Sequence, residues 1–492
     1  MIKIKHPIIF GTSGHRGIQG DSFTVEHVVS ITQAVCDIIK ETESDHTLCL
    51  GYDPRTGNSP TLQMGSYTQA IASVCAKNKV NIQIFDHVTP TPVVSWYIKN
   101  NRCSGGFILT ASHNPKEYNG LKYNIKNGAP APKHVTDKIE SLANSLYNPG
   151  STHSCEIKES DKQYISFFDQ DDLFVDSVLS EIHRSGLSIK KTVPFCVDVK
   201  HGTTGSIWAK FANSLKSPFH MLHNEPLSDF ANIEPNPTKI SSLSTLKESI
   251  ALHGASLGVS NDPDGDRHII LDETGSHLTP EESSVIILDF LYEKGMPIHG
   301  VASTVASSNI LQSFCSKNNI SYHQTGVGFK YFSPFFDEAF KNQEFVAGIE
   351  SSGGFSTSFH SFDKCGFLPA IYILHILSQT NTPLSVLRNN VKNKYGNYFF
   401  AETEVSFKQS DKPLIIDKLS SISSTELNQF FETPVKNINQ TDGLRINFEN
   451  SSWVLIRLSG TEPIGRIYSE SIDKNIGSTV LEESKQFFYK LV

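Results

Sequence analysis

Asp262, Asp264 and Asp266 stand at alternate positions in Asn261-Asp262-Pro263-Asp264-Gly265-Asp266-Arg267. Carboxylates so spaced, with Pro263 and Gly265 allowing the bends, can point at one hard cation from one short loop. Left unpaired they would repel one another, so the run needs a metal or several cations beside it. A calcium EF-hand would use Glu273 as its last ligand, but Arg267 stands where that loop needs glycine, and the run before it reads as a strand. Three oxygens leave room for a phosphate and water, the arrangement magnesium prefers. A second chemical stretch is Thr110-Ala111-Ser112-His113-Asn114-Pro115. It follows Gly105–Leu109, a short apolar run that reads as a buried strand. Ser112 therefore falls at a strand's C-terminal end, where open α/β sheets bind ligands. It lacks the G-x-S-x-G elbow of acyl transfer. His113 can shape the charge around the hydroxyl, and Asn114-Pro115 forces a turn.

Further segments gather donors and acids. Gly11-Thr12-Ser13-Gly14-His15-Arg16-Gly17 suits a loop that brings backbone amides and Arg16 close to an anion. Asn119-Gly120-Leu121-Lys122 is expected to be a turn returning Lys122 towards Ser112. Glu350-Ser351-Ser352-Gly353-Gly354 follows the apolar run Phe345–Ala347, and its carboxylate and hydroxyls suit hydrogen bonding to sugar hydroxyls. Arg457-Leu458-Ser459-Gly460-Thr461-Glu462-Pro463, with Arg466, has the arginines, hydroxyls and glycine turn of a nest for a dianion. The bland alternative is a surface hairpin in which Arg457 packs on Glu462.

These residues need a frame. Thr24 is expected to cap a helix to about Glu41, with Val25, Val28, Val29, Ile38 and Ile39 on one face. Strands at 47–50, 80–85 and 105–109 alternate with helices opening at Pro60 and about Pro92, which predicts a parallel, right-handed α/β sheet. A polar stretch from Tyr147 to about Ser160 reads as a linker. A second βα set follows, with strands at 193–199 and 255–259 around the turn His201–Gly205. A third covers about 281–392 and includes Thr325–Lys330. The last ninety or so residues read as antiparallel strands at 398–407, 443–448 and 453–458, with a final helix over about 477–491.

Composition limits the partners. At 492 residues the chain is too long for one core, and 38% hydrophobic with 19% charged residues is ordinary for globular proteins. A net charge of -8 gives no support for a nucleic-acid partner, so any anion must be held locally by particular arginines and amides. Eight scattered cysteines without a C-x-x-C pair favour reduced thiols in a cytoplasmic protein over disulfides or a zinc site. The segment Met1–Phe10 has too short an apolar core for a signal peptide, and no apolar run reaches the length of a membrane span.

Gly11–Gly17, Thr110–Pro115, Asp262–Arg267, Gly348–Gly354 and Arg457–Arg466 resemble segments of the α-D-phosphohexomutases, the phosphoglucomutase and phosphomannomutase enzymes. They occur in that family's order over nearly the whole chain. The resemblance implies an α/β fold of four domains around a central cleft. Three α/β domains with mixed, mostly parallel sheets would span 1–150, 160–278 and 279–392, and a C-terminal α+β domain 398–492. Each domain would give the cleft one loop. By the same resemblance Ser112 carries the transferable phosphate, and with Asp262, Asp264 and Asp266 it holds one Mg²⁺. Glu350 and Ser352 match the sugar-hydroxyl binders. Arg457, Ser459, Gly460 and Thr461 match the loop for the non-reacting phosphate. Arg16, His113, Lys122, Arg267, Lys330 and Lys364 match basic residues lining the cleft. Lys122 and His113 are both candidates for the base that takes the sugar hydroxyl's proton.

The implied activity is interconversion of glucose 1-phosphate and glucose 6-phosphate through a phosphoserine enzyme, with glucose 1,6-bisphosphate as intermediate and activator. A phosphomannomutase or dual-specificity enzyme is the alternative within the class. Outside it stand a sugar-phosphate binding protein without turnover and a phosphatase using the same metal site. The chain departs from the family pattern at Ile349, before Glu350, at Ser351, where a second acid is frequent, and at Cys365, where aspartate is common beside Lys364. These departures are expected to touch the choice of sugar more than the chemistry.

Overall fold

The computed structural model describes residues 6–148, 155–459 and 463–491. Short runs such as Thr47–Tyr52 and Gly105–Leu109 are buried almost throughout, on both faces, and so become central strands. The first sheet contains β1 (Phe10–Gly11), β2 (Gly14–Ile18), β3 (Thr47–Tyr52), β4 (Asn81–Phe85), β5 (Gly105–Leu109), β6 (Tyr118–Ile125) and β7 (Ile165–Phe168), in the spatial order β1-β2-β6-β5-β3-β4-β7. The second contains β8 (Phe195–Asp198), β9 (Phe219–Leu222), β10 (Leu257–Asn261), β11 (His268–Asp272) and β12 (His277–Leu278), in the order β12-β11-β10-β8-β9. The third contains β13 (Ile298–Thr304), β14 (Ser321–Thr325), β15 (Phe345–Glu350) and β16 (Gly354–Thr357), in the order β14-β13-β15-β16. The fourth is antiparallel throughout. It contains β17 (Phe399–Ser406), β18 (Val435–Asn439), β19 (Leu444–Phe448), β20 (Trp453–Leu458) and β21 (Ile464–Ser471), in the order β17-β21-β20-β19-β18.

The mixed, mostly parallel sheets implied by the resemblance are present, and the parallel sheet expected from strand–helix alternation gains antiparallel neighbours. In each of the first three sheets a parallel set ends on an antiparallel neighbour, and a loop singled out in the sequence is the connection between the two. β5 turns into β6 through the Ser112 loop, β10 into β11 through the aspartate loop, and β15 into β16 through the Glu350 loop. A hairpin between adjacent strands has both ends fixed by the ladder, so its tip sits at a defined place on the sheet's edge.

Other local readings also change. Asn119–Lys122 is part of β6, not a turn, and Gly11–Gly17 forms the β1–β2 hairpin, not an open loop. The helix expected from Pro60 starts at Tyr67. Leu62 and Gly65 take left-handed backbones that no helix accommodates, and Ser66 Oγ accepts the Gln69 N–H at 3.2 Å as the N-cap. The linker reading runs partly over 149–154, outside the described residues. Its far end enters a 3₁₀ turn at Glu159–Tyr164, and β7 then pairs in parallel with β4. The first sheet therefore extends past residue 160. Polar β18 and β21, which carries Arg466, also escaped the sequence reading.

The core explains how the sheets hold one another. One apolar cluster runs from the Thr91–Asn100 helix through the second sheet's helices into the Leu368–Thr380 helix, so the first three units share it. The fourth has its own cluster and meets the third through Val305, Ala306, Trp453 and Leu455. Among the described residues no helix is long and apolar enough to cross a membrane.

A buried polar knot ties the first three units together. Glu181 accepts from the hydroxyls of Thr357 and Tyr372, and its other oxygen lies 3.4 Å from His360 Nδ1. Lys99 donates to the carbonyls of Ser358 and His360. Burial, only partly offset by those hydroxyls and Lys99, pushes the Glu181 carboxyl up to about 7, and burial with Lys99 holds His360 down to about 3. The Glu181–His360 contact is therefore a neutral acid facing a neutral imidazole below pH 7, and not an ion pair.

Because the folded carboxyl keeps its proton above the usual 4.5, stability is greatest at low pH and falls as pH rises towards about 7. Burial of Lys99 acts with the opposite sign and only above about 7, where its own proton is lost. Glu181→Gln is therefore expected to gain roughly 1–3 kcal/mol relative to wild type between pH 5 and pH 7. Urea unfolding at both pH values measures it, and an unchanged difference would refute the assignment.

Candidate active site

Ser112 sits in the β5–β6 connection with φ of 52°, a left-handed backbone that serine seldom adopts. It persists because its surroundings over-determine it. Thr110 Oγ1 accepts the Ser112 N–H at 2.8 Å and donates to Asp53 Oδ2 at 2.7 Å. Arg55, buried and paired with Asp53 through Nε at 2.9 Å, donates to the carbonyls of Ser112 at 2.6 Å and Asn114 at 2.7 Å. Its remaining N–H groups go to Pro115 O at 2.7 Å and Tyr118 O at 2.9 Å. All the donors of a guanidinium are thereby used. Asp53 and Arg55 escaped the sequence reading. The signal available was an Asp-Pro-Arg triplet at the end of a strand.

The aspartate loop meets this serine across the boundary between the first two sheets. Ser112 Oγ donates to Asp262 Oδ2 at 2.7 Å. Asp262 Oδ1 accepts the Arg267 N–H at 3.0 Å, and Gly265, with φ of 70°, makes the bend. Thr91, also not anticipated, donates through its amide to Asp264 O at 2.8 Å and through Oγ1 to Asp264 Oδ2 at 2.9 Å. At the loop's root, Asn261 accepts from Trp208 Nε1 at 2.7 Å and donates to Arg267 O at 2.9 Å.

The electrostatics decide what this loop can hold. The aspartates are fully buried, each with a carboxylate oxygen within 4.8 Å of the others. Burial and the charges of Asp264 and Asp266 push the Asp262 carboxyl well above its usual range. Burial opposes charge on Asp264 and Asp266 too, but Lys122 holds both below theirs. Oδ1 of Asp264 and Oδ1 of Asp266 are buried without a hydrogen bond. Clustered buried carboxylates with unused oxygens fit a hard divalent cation. Among the described residues a second group of metal-ligating type is His87, Asp169 and Asp171. There the hydrogen bond to Asp171 is the main cause lifting His87 to about 9, so that group is already an ion pair.

The basic residues surround the triad from several elements. Lys122, on β6, donates to Asp264 Oδ2 at 2.6 Å and Asp266 Oδ2 at 2.8 Å. Burial opposes its charge, yet the two carboxylates hold the ammonium above the ordinary lysine range. Lys364, from the third unit, reaches Asp266 Oδ2 at 3.4 Å. Arg267 Nε lies 3.8 Å from Asp266 Oδ1 and 4.0 Å from Asp262 Oδ2. Arg16, on β2, donates to Asn114 Oδ1 at 2.8 Å. His113 Nδ1 is 3.3 Å from Ser112 Oγ, and Arg267 first, then burial and Arg16, keep the imidazole far below the usual histidine range and neutral.

The third and fourth units supply the opposite wall. Glu350 ends β15, and Ser352 Oγ donates to its Oε2 at 3.3 Å. A side chain on Gly354 would meet Lys364 Cδ at 2.5 Å and Glu350 Oε2 at 3.2 Å, so these groups share one corner. Ile349 and Cys365 lie in the apolar core behind this corner. Lys330 lies on the 3₁₀ turn Phe329–Tyr331, half-buried, with no ion pair to the triad among the described contacts. Just before it, a Cβ on Gly328 would come within 3.1 Å of Thr12 Cγ2, and Val327 N donates to Asp442 Oδ2 at 2.9 Å. Arg457 Nε donates to the same Asp442 oxygen at 3.0 Å. Arg457 and Arg466 are cross-strand partners on β20 and β21, and each like charge is offset by a carboxylate, Asp442 at 3.0 Å and Glu404 at 3.3 Å. Ser459 N donates to Ile464 O at 2.9 Å, closing the turn. Gly460, Thr461 and Glu462 lie outside the described residues.

The chain matches three family models: phosphoglucomutase/phosphomannomutase alpha/beta/alpha domain I over residues 7–149, domain II over 172–275 and domain III over 279–395. It is 26% identical over 483 residues to a phosphoglucosamine/phosphogalactosamine mutase of Sulfurisphaera tokodaii, covering 97% of this chain and 98% of that one. It is 28% identical over 518 residues to a phosphoglucomutase of Schizosaccharomyces pombe, covering 94% and 90%. The crystal structure of a putative phosphomannomutase from Thermus thermophilus superposes with a TM-score of 0.79 at 21% identity, covering 98% and 99%.

If the triad holds a divalent cation, Asp264→Asn removes one charged ligand while preserving shape. Calorimetric titration with Mg²⁺ and Mn²⁺ should show affinity falling at least about tenfold. Equal affinity in wild type and variant would place the cation elsewhere.

Proposed function

The chain belongs to the phosphoglucomutase/phosphomannomutase family and is an isomerase of the phosphohexomutase type, and from that premise we propose that it interconverts glucose 1-phosphate and glucose 6-phosphate. The carrier of the phosphate is Ser112. The observation behind this is the placement of Ser112 Oγ, 2.7 Å from Asp262 Oδ2 inside a buried aspartate triad ringed by Lys122, Lys364 and Arg267. Phosphoryl transfer asks chiefly for positioning and charge neutralisation, and this arrangement suits both.

Asp262, Asp264 and Asp266 would hold one Mg²⁺, which supplies charge neutralisation at the transferred phosphoryl group. The protein's own groups do the rest. Arg55 fixes the serine loop, while Arg16 and Arg267 offer donors to phosphate oxygens. Of the two candidate bases, His113 is held neutral and can take the proton of the sugar hydroxyl that accepts the phosphoryl group, whereas the Lys122 ammonium, engaged by Asp264 and Asp266, has no free lone pair for it. Glu350 and Ser352 read sugar hydroxyls, and the Arg457–Arg466 pair with Ser459 holds the phosphate that does not react. Glucose 1,6-bisphosphate then turns over in the cleft, so that its second phosphate returns to Ser112.

A second reading within the class is mannose or amino-sugar phosphates, because the named relatives span those sugars. Turnover of a panel of hexose and hexosamine 1-phosphates, with free phosphate measured alongside, separates these readings. Free phosphate without isomer would indicate a phosphatase, and no turnover of any sugar would leave a binding protein.

Purified protein should carry phosphate on Ser112 in a fraction of molecules by intact mass and peptide mapping. Ser112→Ala should remain folded and lose nearly all mutase activity, and an active variant would end the assignment. Arg457→Ala should lower kcat/KM by roughly 30-fold or more, through kcat as well as KM, because remote binding energy drives closure. Kinetics within about threefold of wild type would make Arg457 a mere partner of Asp442.

A further inference from the structure

Phe230, Ala231 and Asn232 have φ of 52°, 49° and 58°, three consecutive non-glycine residues in the left-handed region. Isolated left-handed residues are ordinary in turns, but a run of L-residues crowds each Cβ against the following carbonyl and persists only when the surroundings impose it. Asp229 supports the run by accepting the Ala231 N–H at 3.0 Å. From Asn224 to Asn232 the segment is exposed except at half-buried Leu227 and at Phe230, which is 1% exposed. The turn thus costs backbone strain and places one aromatic ring in the interior.

That ring lies on Arg55. The guanidinium carbon sits 4.8 Å from the ring centroid, and the in-plane donors of Arg55 are all engaged by Asp53 and the serine-loop carbonyls. Only a face of the guanidinium remained for contact, and an aromatic face suits it. The same segment is tied to the aspartate loop. Leu227 N donates to His201 O at 3.0 Å, Thr203 N donates to Pro263 O at 2.8 Å, and Gly202 packs so closely on Pro263 that a Cβ there would come within 2.4 Å of its carbonyl. Lys116, in the serine loop, donates to Asn232 Oδ1.

We infer that the left-handed turn carrying Phe230 is a positioning device that sets the serine loop against the aspartate loop, acting through the face of Arg55. Phe230 touches neither substrate nor cation; it fixes the clamp that fixes Ser112. The inference rests on the proposed phosphoryl transfer at Ser112 for its kinetic consequence, but not for its structural one.

Phe230→Leu keeps apolar volume and removes the aromatic face, whereas Phe230→Tyr keeps the face. With the full-length protein, Phe230→Leu should lower kcat about tenfold or more with KM within about twofold, since small misplacement of a reacting group is costly. Phe230→Tyr should stay within about twofold of wild type. Hydrogen–deuterium exchange over residues 110–118 should rise in the Leu variant and not in the Tyr variant, and Mg²⁺ affinity by calorimetry should fall with it. A Leu variant with wild-type kcat and exchange would reduce Phe230 to packing and overturn the inference. If wild type turns over no phosphosugar, the mutase reading fails, while exchange and Mg²⁺ affinity still decide whether Phe230 holds the loop. A Leu variant that loses thermal stability with unchanged exchange in that peptide would also overturn it.

Discussion

Three carboxylates in one dry pocket is the condition this molecule is arranged to satisfy. The interaction energy of like charges grows as water is excluded, so Asp262, Asp264 and Asp266 can stay buried together only if positive charge is delivered from outside their own loop. The first sheet delivers Lys122, the third unit Lys364, and the loop itself adds Arg267. The demand for neutralisation is therefore also a demand for domains to meet. The shared core of the first three units meets the same need by apolar packing, and the Glu181 knot by hydrogen bonding.

The three hairpin connections give this meeting its geometry. A loop between a parallel strand and its antiparallel neighbour leaves and re-enters the same ladder, so its length is short and its tip is aimed. The same device appears in three sheets with unrelated residues at the tip, a serine in one, aspartates in another, a glutamate in the third. The left-handed backbone recurs in the same places, since Ser112, Gly265 and Gly353 all have positive φ. Of these three, only Ser112 bears that conformation with a side chain, and there the support is strongest, a buried arginine with all its donors engaged.

The chemistry-bearing stretches were legible because their residue types are unusual together, and several elements were legible from periodicity. Thr24 does precede the Val25–Thr42 helix, and the Gly105 strand is where the apolar run put it. What escaped was whatever acts at a distance in sequence. Arg55 looks like a turn residue until its carbonyl partners, about sixty positions away, are known. Lys122 reads as part of a turn because Asn-Gly is a turn signal, yet Gly120 is there because a Cβ would strike Thr110 O at 2.6 Å, and the segment is a strand. Cys365 and Ile349 flank Lys364 and Glu350 in sequence, yet their side chains lie in the apolar core, which adjacency along the chain does not reveal. The polar strand β18 had no apolar alternation to reveal it.

The return of β7 to the first sheet has a consequence for how the chain comes off the ribosome. Until Ile165–Phe168 has emerged, β4 is the bare margin of a growing sheet, with Ile82, Ile84 and Phe85 along it. A nascent chain halted before that point presents unpaired amides and carbonyls to its neighbours on a polysome, the situation that invites strand exchange between copies. Completion of the first unit thus waits for a segment that follows the whole of its own serine loop. Synthesis of the second unit's first helix, Asp171–Arg184, follows almost at once, so the margin is capped and the next core is seeded within a few residues of translation.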